Sequence, residues 1–146
     1  MNYRKMGDTW YVRLDKGEEV ISSLLSICRK EGIASAVFTG IGGCGSADLQ
    51  TFLPEEGIFE TEHIEGMLEL INVTGNIITE EPEVLHHHTH ALFSYKEDGI
   101  PKMAGGHVKQ ITVLYTAEIE LRPVKGVIYR KYDEETGTGF WDLGRA

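Results

Sequence analysis

The sequence predicts an α+β fold, a single domain in which a mainly antiparallel β-sheet is accompanied by one long helix. Three observations carry this prediction. Val20, Ile21, Leu24, Leu25 and Cys28 repeat at helical spacing. Nearly everything after them reads as β-formers and alternation broken by short turn signals. The chain of 146 residues has the size of one domain, able to bury about 68–70% of its unfolded surface, and no internal repeat or linker divides it. With 41% hydrophobic and 25% charged residues it is globular in composition and far from disorder.

In chain order, Trp10-Tyr11-Val12-Arg13-Leu14 is rich in β-formers and ends at Asp15-Lys16-Gly17. A helix over residues 18–31 follows, with Glu18 and Glu19 in its first turn near the positive end of the dipole and Gly32 as a left-handed cap. Ala34 to Thr39 is a strand that enters Gly40-Ile41-Gly42-Gly43-Cys44-Gly45, and Ala47 to Leu53 alternates again. The glycine segment matches GxGxxG, but a dinucleotide fingerprint requires a helix after it. Strand alternation and Pro54 follow instead, so the glycines are expected to form a tight turn. Met67 to Ile77 reads as a mostly buried strand bent at Gly75. Val84 to Tyr95, the turn Lys96-Glu97-Asp98-Gly99, Ile111 to Leu121 and Val127 to Tyr132 complete the strands before a polar tail.

No apolar run approaches the ~18–20 residues of a membrane helix, and Met1 to Met6 contain no apolar stretch of signal-peptide length. The cytoplasm is the expected location, and no membrane contact is expected. Cys28 and Cys44 have no CxxC or Cys–His neighbour and read as reduced, structural residues. Lys and Arg total 14 against 23 Asp and Glu, a net charge of −9 that on average repels phosphate backbones. The best basic patch is Lys102, Lys109, Arg122, Lys125, Arg130 and Lys131, which would contact DNA weakly, although surface solvation explains these residues equally well.

The chemistry concentrates in Leu85-His86-His87-His88-Thr89-His90-Ala91, an internal run and so not an expression tag. On a strand, His86, His88 and His90 point to one face and His87 to the other. Imidazoles at i and i+2 lie ~7 Å apart at the backbone and can converge on the ~2.0–2.1 Å bonds that zinc makes with nitrogen. A third ligand is supplied by His107, because Gly105 and Gly106 before it permit close approach to a neighbouring strand and the Asp98-Gly99 turn folds the chain back. Three neutral imidazoles suit zinc, iron, nickel or copper, and imidazole alone does not choose among them; zinc is carried forward as the expected ion. His86 is a further ligand or a supporting group. Glu69 and Glu118 interrupt apolar strands and are read as extra ligand, general base, ion-pair partner or solvent-facing residue. No serine or cysteine nucleophile is arranged with a histidine, and the sequence names no reaction.

These residues resemble the plants-and-prokaryotes conserved domain family, over about Tyr11 to Arg130. The resemblance rests on Gly17-Glu18-Glu19-Val20, Gly40-Ile41-Gly42, Glu69-Leu70 with Thr74-Gly75-Asn76-Ile77, His88-Thr89-His90, Gly105-Gly106-His107-Val108 and Ala117-Glu118-Ile119. The HxH followed by GGH is its most specific element. It implies one such domain over residues 1–146, an α+β sandwich with a mainly antiparallel sheet, a homotrimer, and a metal site at His88, His90 and His107 open to a small-molecule ligand. The family's prokaryotic members carry a DNA-binding label, so a DNA-associated regulatory role is the alternative. The chain lacks the Arg-Gly-Arg-Pro core of the AT-hook found in plant members, and its charge of −9 opposes that role.

Overall fold

The computed structural model describes residues 1–81 and 84–145. Its elements are β1 (Asn2–Met6), β2 (Thr9–Asp15), α1 (Val20–Glu31), β3 (Ala36–Leu53), β4 (Ile58–Glu81), β5 (Val84–Glu97), β6 (Ile100–Pro123), β7 (Tyr129–Asp133) and β8 (Thr138–Asp142). Hydrogen bonds join the described strands into one sheet. Its pairings are antiparallel except the contact of Thr79 with Tyr129. The fold is therefore α+β and mainly antiparallel, with one helix among the described residues, as expected.

The sheet closes on itself. β3 pairs with β4, β4 with β5, β5 with β6, and β6 again with β3. One hydrophobic cluster unites residues of these four strands, among them Leu49, Leu68, Phe93 and Ile111, with Val20, Leu24, Ile27 and Cys28 of α1. Among the described residues, no helix is long and apolar enough to cross a membrane.

The helix forms where its periodicity predicts, but its start differs. Glu19 is the N-cap rather than a first-turn residue, and its carboxylate accepts from the backbone N–H groups of Ile21, Ser22 and Ile111. Glu18 lies before the helix, where its carboxylate accepts from the Asp15 N–H. Gly32 closes the helix in the left-handed conformation, as expected.

The glycines of 40–45 do not make a turn. β3 runs straight through them, with register shifts between Gly40 and Gly42 and around Cys44. Close approach is what demands glycine: a Cβ on Gly42 would lie 2.4 Å from the Thr116 carbonyl oxygen, and one on Gly40 would lie 2.5 Å from that of Glu118. Gly75 likewise makes no bend; a Cβ there would meet the His88 carbonyl oxygen at 2.5 Å. The ends of the chain add strands that the alternation did not announce. β1 lies alongside β2 at the N-terminus, and the expected polar tail folds as β8 against β7.

Candidate metal centre

On β5, Thr89, Ala91 and Phe93 are buried in the core. The alternating pleat therefore turns His88 and His90 outward, with His86 on the same face. β6 then brings in the third histidine by register, since His107 is directly opposite His90. The two glycines before it act as expected: a Cβ on Gly105 would lie 2.9 Å from the Ala91 carbonyl oxygen, and one on Gly106 would lie 3.1 Å from that of Gln50. The Asp98-Gly99 turn, both residues at positive φ, returns β6 alongside β5.

The three rings form a nearly equilateral triangle. Centroids are 5.1 Å apart for His88 and His90, 5.2 Å for His88 and His107, and 5.4 Å for His90 and His107. One nitrogen from each ring falls within 4.8 Å of the others. The Nε2 atoms of His88 and His90 are 3.2 Å apart, close to the ~3.3 Å between two nitrogens on one tetrahedral zinc with bonds of ~2.0–2.1 Å. These residues fit a tetrahedral ion with three protein nitrogens and one position left over.

Electrostatics prepare the same chemistry. Burial pushes the His107 imidazole down to about 4, helped by the charges that His88 and His90 would carry. His88 is lowered by burial and then by His90. Both are therefore neutral at pH 7, the form that binds metal.

The other predicted residues lie apart from this triangle. His86 stacks on His87 with centroids 6.0 Å apart, and the His87 Nδ1 is 3.1 Å from Thr89 Oγ1. Glu69 and Glu118 are exposed and outside the cluster. Lys102 pairs with Glu97 at 3.6 Å, and Arg130 pairs with Glu80. Lys109, Lys125 and Lys131 are exposed. Lys102 and Arg122 stand near opposite ends of the same 24-residue strand, so the basic residues do not form one patch.

Two aromatic neighbours escaped sequence reasoning. Phe59 lies 5.6 Å from the His107 ring, and Trp141 of β8 lines a pocket with His88 and His90. Trp141 is held by its indole N–H, which donates to Asn76 Oδ1 at 3.2 Å. The Phe140-Trp141 pair in the expected tail was the only available signal.

Residues 1–125 match the model of the Plants and Prokaryotes Conserved (PCC) domain. No curated protein sequence matches the chain. Among solved structures, a plant- and prokaryote-conserved protein from Pyrococcus horikoshii is 31% identical, with a TM-score of 0.81, covering 97% of this chain and 94% of that one. A protein from Bacteroides thetaiotaomicron, provisionally named as DNA-binding, is 25% identical with a TM-score of 0.89, covering 99% and 98%. A metal-containing protein from Archaeoglobus fulgidus shares the fold at 22% identity and a TM-score of 0.81, covering 97% and 98%.

Proposed function

The chain belongs to the Plants and Prokaryotes Conserved domain family, and from that premise we propose that it binds one transition-metal ion, zinc, through His88, His90 and His107. The observation that carries this reading is the triangle of imidazoles with ligand atoms within 4.8 Å of one another. Three neutral nitrogens and an open fourth position are the donor set of a zinc site that accepts a water or a small molecule. A bound divalent ion would polarise an oxygen-bearing ligand there. The protein's part is to hold three imidazoles in register, with His88 and His107 kept neutral by burial. The name of the metal-containing Archaeoglobus fulgidus protein lends support from a shared fold. Elemental analysis of protein purified without chelator tests the proposal: about one ion per chain is expected, and a protein that contains none and takes up no zinc overturns it.

A DNA-associated role is the second reading, drawn from the provisional name of the Bacteroides thetaiotaomicron protein. The separated basic residues and the charge of −9 weigh against it.

Three further points complete the proposal. Residues 126–145 belong to the same domain, supported by the pairing of Arg130 with Glu80 and of Trp141 with Asn76, and the closed sheet is read as the family's sandwich. The chain assembles as a homotrimer, supported by exposed Ile41, Met67, Ile71 and Tyr115 on its outer face. Met67 and Tyr115 meet above Gly43, where an added Cβ would lie 3.3 Å from each. The unpaired, buried Cys28 and Cys44 suit a reducing compartment such as the cytoplasm.

A further inference from the structure

We infer that the pocket beside the histidine triangle takes a small dianion, one carboxylate held by Arg122 and the other reaching the open position at His88, His90 and His107. This rests on the metal reading above. It starts from a row of residues set by strand register: Arg122 on β6 faces Val37 on β3, Val37 faces Asn76 on β4, and Asn76 faces His88 on β5. Three strand spacings of ~4.8 Å place the Arg122 and His88 backbones about 14 Å apart. Long side chains leaning in from each end leave room for a short molecule between them. The pocket over this row has a volume of about 370 Å³, at the small end of the ~300–1,000 Å³ usual for ligand sites.

The lining selects charge. In a chain with 23 acidic residues, this pocket is bordered by Arg122, His88 and His90 and, among the described residues, by no carboxylate. Arg122 has no ion-pair partner among the described residues, whereas Arg13 and Arg130 pair with acids. Glu120, the nearest acid before it on β6, lines the neighbouring groove instead. Thr39 also borders the pocket; its Oγ1 accepts from Asn72 Nδ2 at 3.2 Å, so its own O–H is free to donate to an anion. A guanidinium binds a carboxylate through two parallel bonds, which fixes orientation as well as charge.

The remaining wall combines Val37 with Thr74, Asn76 and Trp141. The Trp141 indole, anchored on Asn76, stands over the middle of the row and shields the ligand's carbon chain from water. That residue lies beyond the span of 1–125 matched by the family model, so this wall is added to the matched part of the domain.

The test loads the protein with Co²⁺, whose visible spectrum reports a new donor at the open position, and titrates acetate, succinate and glutarate while following tryptophan emission. A dicarboxylate is expected to bind at least about tenfold more tightly than acetate, as one charge-assisted contact would give. Arg122→Gln should bring the dicarboxylates to the acetate level while leaving Co²⁺ affinity unchanged. Trp141→Phe should abolish the emission change on ligand binding while Co²⁺ affinity holds. Co²⁺ uptake without preference for either dicarboxylate, or an unchanged preference in Arg122→Gln, overturns this inference alone. Failure to take up Co²⁺ overturns the metal reading, and this inference with it.

Discussion

His90 and His107 sit directly opposite each other on β5 and β6, with ring centroids 5.4 Å apart and planes at 80°. Ladder register fixes both ends of this pair, whereas side-chain torsions alone would let the rings drift. His88, two residues along the same face, completes the set.

His107→Ala should therefore lower zinc affinity by at least about 100-fold, since even changes to residues behind a ligand cost 10–100-fold. The fold should survive, because the backbone ladder on both sides of position 107 is unchanged. Zinc titration against a chromophoric competitor, with circular dichroism beside it, checks both halves. Undiminished affinity would remove His107 from the site.

Gly42 and Gly45 should respond very differently to alanine. A Cβ at Gly42 meets the Thr116 carbonyl oxygen at 2.4 Å and the Ala117 Cα at 2.9 Å, while at Gly45 the nearest atom is a side-chain carbon at 3.5 Å. Gly42→Ala should cost about 2–4 kcal/mol and Gly45→Ala less than about 1 kcal/mol. Urea unfolding of the two variants measures this, and equal losses would refute the close-approach account.

The same glycines mark where sequence reasoning stopped. A glycine is required either by positive φ or by a close neighbour, and only the first is visible in local sequence. Gly32 belongs to the first kind and was read correctly; Gly40, Gly42 and Gly75 belong to the second, which depends on partners far along the chain. β1 was hidden because all its residues except Tyr3 are exposed, leaving no alternation to read. The convergence of His88, His90 and His107 was legible because it obeys two local rules, the pleat that puts His88 beside His90 and the Gly-Gly before His107. Trp141 obeyed none, since its position comes from packing β8 against Asn76.

Neither thiol should react while the protein is folded. Cys28 and Cys44 are 0% exposed, and burial pushes both up to about 12, so almost no thiolate exists at neutral pH. Ellman's reagent should titrate no thiol in native protein and two after denaturation. Rapid labelling of either in the native state would contradict the burial.

DNA binding should be weak and lost as salt rises, because only scattered cations oppose a net charge of −9. Titration of one duplex at two salt concentrations tests this. Tight binding with sequence preference at physiological salt would favour the DNA reading.

The pH dependence follows from the lowered imidazoles and has a definite sign. Unfolded histidine titrates near ~6.5, whereas folded, metal-free His107 titrates at about 4. Between these values the unfolded chain binds more protons, so metal-free stability should fall as pH drops from about 6.5 towards about 4. His88, His86 and His87, also lowered chiefly by burial, act in the same direction. His63 opposes them: its hydrogen bond to Asp48 raises it, which adds stability below ~6.5. Asp15, Glu18 and Asp133 are lowered, so their contribution begins to be lost around the ~3.9–4.3 of free carboxylates, at the acid edge of this window, and falls further below it. His107→Leu should therefore flatten part of the decline between pH 6.5 and 4 without changing the slope below it. Metal loss should follow the same residues. Three unperturbed imidazoles would lose their metal between about pH 7 and 5; the lowering of His107 and His88 by burial should carry the loss to lower pH than that. Melting temperatures of metal-free and zinc-loaded protein, measured at half-unit steps from pH 7.5 to 4, separate the two effects. A metal-free Tm that stays flat between 6.5 and 4 and is unchanged by His107→Leu would show that His107 is not held neutral in the folded protein.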